Sequence, residues 1–357
     1  MVDFSARFAT GTEQQDWDSL VTANPGGGNM LSSAAFAEVK SRHGWRPRFV
    51  VLEGPGYTTH NLVLEKKVPL IGALWYLIKG PAVTEAAHVP AAARAVADLA
   101  RREGHRVFAI KVEPDLVDGP EVREALQSAG LVKTFNLQPN DSTAILDTTP
   151  EANQLLRTLH SRGRNAVRRA IREGVEVRRM EPTEETFRAM YSLMAHIEDR
   201  SAARMRSFEY YSRFWQNFVD AGQGRFYFVY EDGQPSVGAF VINYGTKGTY
   251  KDGGSRPGRT QYGDSHLVQW QAITDLKDEF GIVEYDFCGT PPSDRLKDKD
   301  HPHHGLGLFK TSFTKTVTDF AGCYDLVVSG WKYRVWNTIA ERVARQVYWR
   351  RTHQPFY

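Results

Sequence analysis

The segment Gly305–Phe313 reads Gly-Leu-Gly-Leu-Phe-Lys-Thr-Ser-Phe, and Lys310 is the one charge in an otherwise apolar and small-residue run. Just upstream, the strand-like stretch Glu284–Phe287 ends in Cys288-Gly289. An ammonium drawn into such surroundings is costly unless something negative meets it. The chemistry open to Lys310 is therefore a salt bridge, a phosphate contact or the oxyanion of a reaction. The plain alternative is a lysine whose stem packs while its amine reaches water.

A second signal is one of charge. Between Arg157 and Arg179 stand eight arginines (157, 162, 164, 168, 169, 172, 178 and 179), opposed only by Glu173 and Glu176. On a helix, Arg164, Arg168 and Arg172 stack along one face, where like charges repel. A phosphate backbone explains that cost, because arginine forks match phosphate oxygens; a merely solvated face is the alternative. Arg204, Arg206 and Tyr210 lie at a loop-to-helix junction that Ser207 can cap, a ready anion site unless Asp199 or Glu209 pairs the arginines. Lys40 closes the helix Ser33–Lys40, a position that the helix dipole also favours on its own. His301, His303 and His304 surround Pro302 without an acidic or cysteine partner at ligand spacing, so a loop is expected there and no metal site.

The elements that position these residues follow from periodicity and punctuation. In the first half, Phe36–His43, Ala91–Glu103 and Glu121–Ala129 read as helices, and 48–52, 61–68 and 107–112 as strands. Asp147-Thr-Thr-Pro150 is a break. In the second half a long helix is expected over Glu151–Glu173, from apolar residues at three- and four-residue steps, ending at Gly174. Helices Glu184–His196 and Phe208–Ala221 follow. Strands 225–230 and 236–243 are joined by the hairpin signal Glu231-Asp-Gly-Gln234, and Thr249–Asp252 is a further strand. Helix Ser265–Phe280 and strand Ile282–Phe287 complete the half. This order suits the acetyltransferase-type (GNAT) α/β fold, and both halves can be drawn this way. The expected architecture is an α/β (α+β) chain of two tandem GNAT-like domains, 1–147 plus 320–357 and 148–319. The tryptophan-rich tail Val327–Arg351 packs back onto the body.

Composition sets the outer bounds. The chain has 357 residues, 41% hydrophobic and 12% aromatic, with a net charge of +3, enough for two cores and too little charge to demand a nucleic-acid partner. Two cysteines make neither a disulfide framework nor a zinc site. The first residues lack the pattern of a signal peptide, so a cytoplasmic location is expected. The apolar run Val68–Leu77 is far shorter than the ~20 residues of a spanning helix and reads as a core strand or hairpin. No Walker motif, dinucleotide fingerprint or Gly-x-Ser-x-Gly is present. Before helix Ser265–Phe280, the loop Arg259-Thr-Gln-Tyr-Gly-Asp-Ser-His266 is at best a weak version of the one that grips the pyrophosphate of acetyl-CoA.

Seven segments in order carry a resemblance: Ser33–Trp45, Gly80-Pro81, Lys111-Val-Glu-Pro114, Ser161-Arg-Gly-Arg-Asn165, Tyr250-Lys-Asp-Gly-Gly-Ser255, Tyr285-Asp-Phe-Cys-Gly289 and Gly305–Phe313. Over nearly its whole length the chain resembles the Fem-type (FemABX) peptidyltransferases, in a compact form without the helical arm of some members. The resemblance implies transfer of an amino acid from aminoacyl-tRNA to the stem-peptide amine of a peptidoglycan precursor, either UDP-MurNAc-pentapeptide or its lipid-linked form, with no cofactor and no metal. A monomer is expected, and the tail's tryptophans with the basic balance favour peripheral contact with an anionic membrane surface at the inner face of the membrane. By position, Lys40 and Arg206 (or Arg204) look like the grip on the precursor's phosphates, Tyr210 and Tyr250 like further substrate contacts, and Lys310 like the lysine of the reaction centre. Glu113 is the candidate base, and Arg164 and Arg168 the candidate tRNA contacts. The rival readings are an acyl-CoA N-acyltransferase of the same fold and a non-catalytic tRNA-binding module.

Overall fold

The computed structural model describes residues 3–138, 141–198, 205–352 and 356; Arg204 lies outside them. The chain divides into two compact units, 1–141 with 320–357, and 142–319.

The first unit runs β1 (Ser5–Phe8), α1 (Gly11–Gln15), α2 (Trp17–Thr22), α3 (Ala34–Ser41), β2 (Arg46–Gly54), β3 (Tyr57–Val68), β4 (Gly72–Leu77), α4 (Val89–Arg102), β5 (Val107–Val112), α5 (Pro120–Ser128) and β6 (Val132–Lys133). After the second unit the chain returns as β14 (Tyr324–Val327), α12 (Gly330–Val335), a π-helical turn (Trp336–Ala340) and α13 (Glu341–Thr352). The sheet order is β1-β2-β3-β4-β5-β14-β6. Every residue of β5 is buried, as befits a strand covered on both faces. Alanine-rich α4 starts with Pro90 in its first turn and lays Ala92, Ala93, Val96, Leu99 and Ala100 into the core. The tail packs back through Trp336, 5.6 Å from the Phe108 ring. Lys66 also holds it, its ammonium 5.0, 4.9 and 4.5 Å from the ring centres of Trp45, Tyr348 and Phe356.

The second unit runs β7 (Ser142–Asp147), α6 (Ala152–Thr158), α7 (Ser161–Arg172), β8 (Val177–Met180), α8 (Glu184–Glu198), α9 (Phe208–Asp220), β9 (Gly224–Glu231), β10 (Gln234–Tyr244), β11 (Lys247–Ser255), α10 (Asp264–Phe280), β12 (Glu284–Gly289), α11 (His304–Thr314) and β13 (Thr318–Asp319). Its sheet order is β13-β7-β12-β11-β10-β9-β8. Two expectations change here. Residues 142–147, assigned to the first domain by sequence, form β7, which pairs with β12 and so belongs to the second sheet. The long helix expected over 151–173 is two helices. Leu159 and His160 adopt extended backbone (φ/ψ −55/151 and −56/145), which puts Leu159 in the core and lets His160 Nδ1 accept the Arg162 N–H at 3.1 Å.

The two sheets share one plan. Four antiparallel strands (β1 to β4; β8 to β11) lead to one parallel step (β4 to β5; β11 to β12), then an antiparallel sixth strand and a short seventh. In each, the sixth strand arrives from beyond the other unit's border: β7 follows β6 in sequence but lies in the second sheet, and β14 follows β13 but lies in the first. The fold is thus a duplication whose halves exchange their sixth strands.

Candidate active site

Lys310 sits on α11, 5% exposed, and does not reach out to water. Its Nζ donates to the carbonyl oxygens of Cys288 at 3.0 Å and Gly289 at 2.8 Å. Two successive carbonyls of a regular strand point opposite ways; here they converge. The cause is local to β12. Its register against β7 slips between Asp286 and Gly289, and Cys288 takes φ +57, a left-handed backbone rare outside glycine. Asp286 holds the kink, accepting the Cys288 N–H at 2.7 Å and the Thr143 hydroxyl. An ammonium has three donors, and the third has no acceptor among the described residues. Burial pushes the Lys310 pKa down to about 8, with Cys288 and Asp286 pulling the other way.

Tyr250 and its neighbours face this lysine. Lys310 Nζ is 5.9 Å from the Tyr250 ring centre, and burial raises the Tyr250 phenol. A Cβ on Gly253 would fall 1.6 Å from the Tyr250 oxygen, so Gly253 makes room for this phenol. In β11, Lys251 is the extra residue of a bulge, since Phe240 pairs with Asp252 and Val241 with Tyr250. Sequence reasoning passed over Lys251. Its ammonium meets Asp252 at 3.1 Å and lies 4.9 Å from the Phe214 ring centre; Trp215 Nε1 secures the same carboxylate at 2.9 Å. Burial works against the Lys251 charge, but Asp252 with Tyr211, Tyr210 and Cys288 together outweighs it and the pKa is raised. A lysine at the kink of a bulge can be found only from the pairing.

Arg206 and Tyr210 begin the neighbouring helix α9. Ser207 caps it, accepting the Tyr210 N–H at 3.3 Å. The Arg206 guanidinium lies 4.5 Å from the Tyr210 ring centre, and Tyr210 stacks toward Phe214 at 6.4 Å. Arg206, Lys251 and Lys310 thus form a run of cations over Tyr210, Phe214 and Tyr250 within the second unit.

In the first unit, Lys40 is buried near the end of α3, 5.3 Å from the Phe36 ring centre. Glu113 is also buried, accepts the Tyr76 hydroxyl on one oxygen and meets the Lys79 ammonium at 3.2 Å with the other. With both oxygens engaged it fits a positioning role better than that of a free base. The arginine face divides. Arg164 turns back, its Nη1 donating to the carbonyls of Arg157 and Leu159 at 3.1 Å each, and so satisfies the end of α6. Arg168 and Arg172 remain exposed on α7.

Helix α11 is held in place by α7 and α10. His266 on α10 stacks on Phe313 and meets Ser312 Oγ at 3.1 Å; burial, then Arg162, pushes it down to about 4, so it stays neutral. Gly163 on α7 lies so near that a Cβ would come within 2.3 Å of the Ser312 carbonyl oxygen. Helix propensity alone makes Gly163→Ala stabilising by about 1 kcal/mol. The backbone clash reverses the sign, at about 1–3 kcal/mol. We expect a net loss in the urea unfolding midpoint and a slower reaction as α11 shifts; a gain in stability would refute the close-packing argument.

The start of α10 is where a GNAT enzyme would bind a pyrophosphate. Here the buried Asp264 carboxylate occupies the first turn, takes the Ser265 N–H at 2.5 Å and pairs with Arg259 at 2.8 Å. Gly263 (φ +75) leaves a Cβ only 2.4 Å from the Ala166 carbonyl oxygen. A negative charge and a packed helix fill the place of the anion.

Comparison with known proteins bears on the fold. A family described as acetyltransferase (GNAT) domain matches residues 161–298. The chain is 22% identical to the lipid II:glycine glycyltransferase of Staphylococcus aureus (strain MRSA252), over 93% of this chain and 95% of that one. The crystal structure of FemX aligns with a TM-score of 0.78 at 20% identity, covering 94% of this chain and 100% of the other. A conserved protein of unknown function from Bacteroides thetaiotaomicron VPI-5482 aligns at 0.55 and 12% identity, over 91% and 99%. Two tandem GNAT-like domains are the fold of this chain.

Proposed function

We propose that this chain, similar over nearly its whole length to a lipid II:glycine glycyltransferase and in fold to FemX, is a Fem-type enzyme that moves an amino acid from aminoacyl-tRNA to the stem-peptide amine of a peptidoglycan precursor. The observation that carries this reading is Lys310, a buried ammonium with two donors fixed on carbonyls and a third left for a substrate. The neutral amine attacks the ester carbonyl carbon and forms the new C–N bond. The carbonyl oxygen takes up the negative charge, and the third N–H of Lys310 meets it. The intermediate then expels the ribose oxygen, which leaves as a hydroxyl with a proton from the attacking nitrogen. The ester is already activated, so the protein's main task is to place two large substrates. Tyr250 and Tyr210 are the substrate contacts, and Glu113 positions Tyr76 and Lys79. Arg168, with Arg172 beside it, takes the tRNA backbone in preference to Arg164.

The negative first turn of α10 weighs against an acyl-CoA transferase. A thermal-shift titration with acetyl-CoA should leave the melting temperature unchanged. For the reaction itself, the protein is incubated with a mixed pool of charged tRNAs and both precursor forms, soluble and lipid-linked. A precursor heavier by one aminoacyl residue is expected; tRNA binding without such a product would support the non-catalytic reading. Lys40 and Arg206 are proposed for the precursor's phosphates. Each charged hydrogen bond contributes about 1.5–3 kcal/mol, so Lys40→Ala and Arg206→Ala should each weaken precursor binding roughly tenfold or more by calorimetry. Unchanged affinity in both would remove them from that role.

A further inference from the structure

The C-terminal stretch 330–352 has two apolar faces, and among the described residues only one has a partner. Tyr333, Trp336, Ala340 and Ala344 pack against Val68, Ile71, Leu74 and Phe108. On the other side Trp331 (65% exposed), Val335 (42%), Ile339 (66%), Val343 (50%) and Val347 (41%) face out. These five recur every four residues. In a plain α-helix that spacing drifts by about 40° a step, about 160° in all. The π turn Trp336–Ala340 absorbs one extra residue, which cuts the drift to about 60° and gathers the five into one stripe. Single exposed apolar residues are ordinary; a contiguous stripe is a contact surface.

Charge selects the partner. The same stretch carries Lys332, Arg334, Arg342, Arg345, Arg350 and Arg351 against Glu341 alone. Basic residues flanking an exposed stripe of tryptophan and branched aliphatics match a helix that lies in the headgroup layer of an anionic bilayer. RNA would use the arginines but offers nothing to Val335, Ile339 and Val343. Among the described residues no helix is long and apolar enough to cross a membrane, so this contact is a surface one. We propose that the outer face of 330–352 docks the protein on an anionic lipid surface, by the stripe Trp331, Val335, Ile339, Val343 and Val347 and the arginines beside it. The stripe and its charges carry this inference independently of the transfer reaction.

The test uses the full chain and vesicles of phosphatidylcholine, with or without phosphatidylglycerol, in the absence of tRNA and precursor. Cosedimentation is expected with the anionic vesicles and to fall with salt. Ile339→Asp with Val343→Asp should reduce it at least tenfold; both sites are exposed, and an unchanged melting temperature confirms folding. Arg342→Gln with Arg350→Gln should flatten the salt dependence. Lipids brominated in the acyl chains should quench tryptophan fluorescence, and Trp331→Phe should lose part of that quenching. Three outcomes would overturn the proposal: no preference for anionic vesicles, the Asp variant binding as well as the wild type, or a concentration-dependent dimer that the Asp variant abolishes without vesicle binding. So would a loss of tRNA binding in the Asp variant equal to its loss of vesicle binding, because the face would then be an RNA surface.

Discussion

Lys310→Ala should lower the turnover of aminoacyl transfer by about 10²–10³-fold while precursor affinity changes little. The carbonyls of Cys288 and Gly289 orient the ammonium before substrate arrives, so its interaction with the developing oxyanion needs little reorganisation. Single-turnover rates with charged tRNA separate this step from binding. Wild-type rates in the variant would end the assignment. The pH profile gives a second check. With a pKa of about 8, Lys310 is cationic below that pH and neutral above it, so turnover should fall as pH rises through about 8, and Lys310→Ala should lack that limb. Stability should show the opposite sign. Between about pH 8 and about 10.4 the unfolded chain holds this proton and the folded chain does not, so the Lys310 contribution to stability grows with pH across that window.

Asp325→Ala should cost about 3–5 kcal/mol of stability, a large part of what a domain has. Asp325 on β14 is the register partner of Lys111 on β5, and their buried side chains meet at 2.8 Å. Tyr333 donates to the same carboxylate at 2.8 Å, and Lys111 to Thr134 at 3.2 Å. Removing the aspartate strands an ammonium in the core. Lys111→Met with Asp325→Leu removes both charges and should recover most of the loss. Denaturant midpoints for the two variants decide the matter: equal values would mean that the ion pair does not govern the packing of β14.

The same residues show what a sequence can and cannot disclose. Strand Val107–Val112 and helix α4 were legible because burial leaves a local pattern. Lys310 was legible as an isolated charge in an apolar run, and Ser207 as a cap. The break at Leu159 and His160 was not, because Leu155 and Leu159 keep helical spacing straight through it. Lys251 owes its place to a bulge, and the Lys310 cradle to a left-handed Cys288; neither has a signature in residue type. Arg164 and Arg168 look alike in sequence, yet one ends a helix and the other faces water. The first three residues of Lys111-Val-Glu-Pro114, a motif of the resemblance, each have a physical reason: Lys111 faces Asp325, Val112 fills the core, and Glu113 holds Tyr76 and Lys79.

The exchange of sixth strands has a consequence for how the protein can be made. A chain still on the ribosome, complete only through β13, has built a first sheet with a gap between β5 and β6, because β14 has not yet emerged. The first unit therefore cannot close until the second has been translated, contrary to the usual order in which the earlier domain folds first. Cutting the gene after β7, between Asp147 and Thr148, should yield two aggregating fragments, each missing the strand that the other one carries. Expressed together, they can assemble only by trading those strands back.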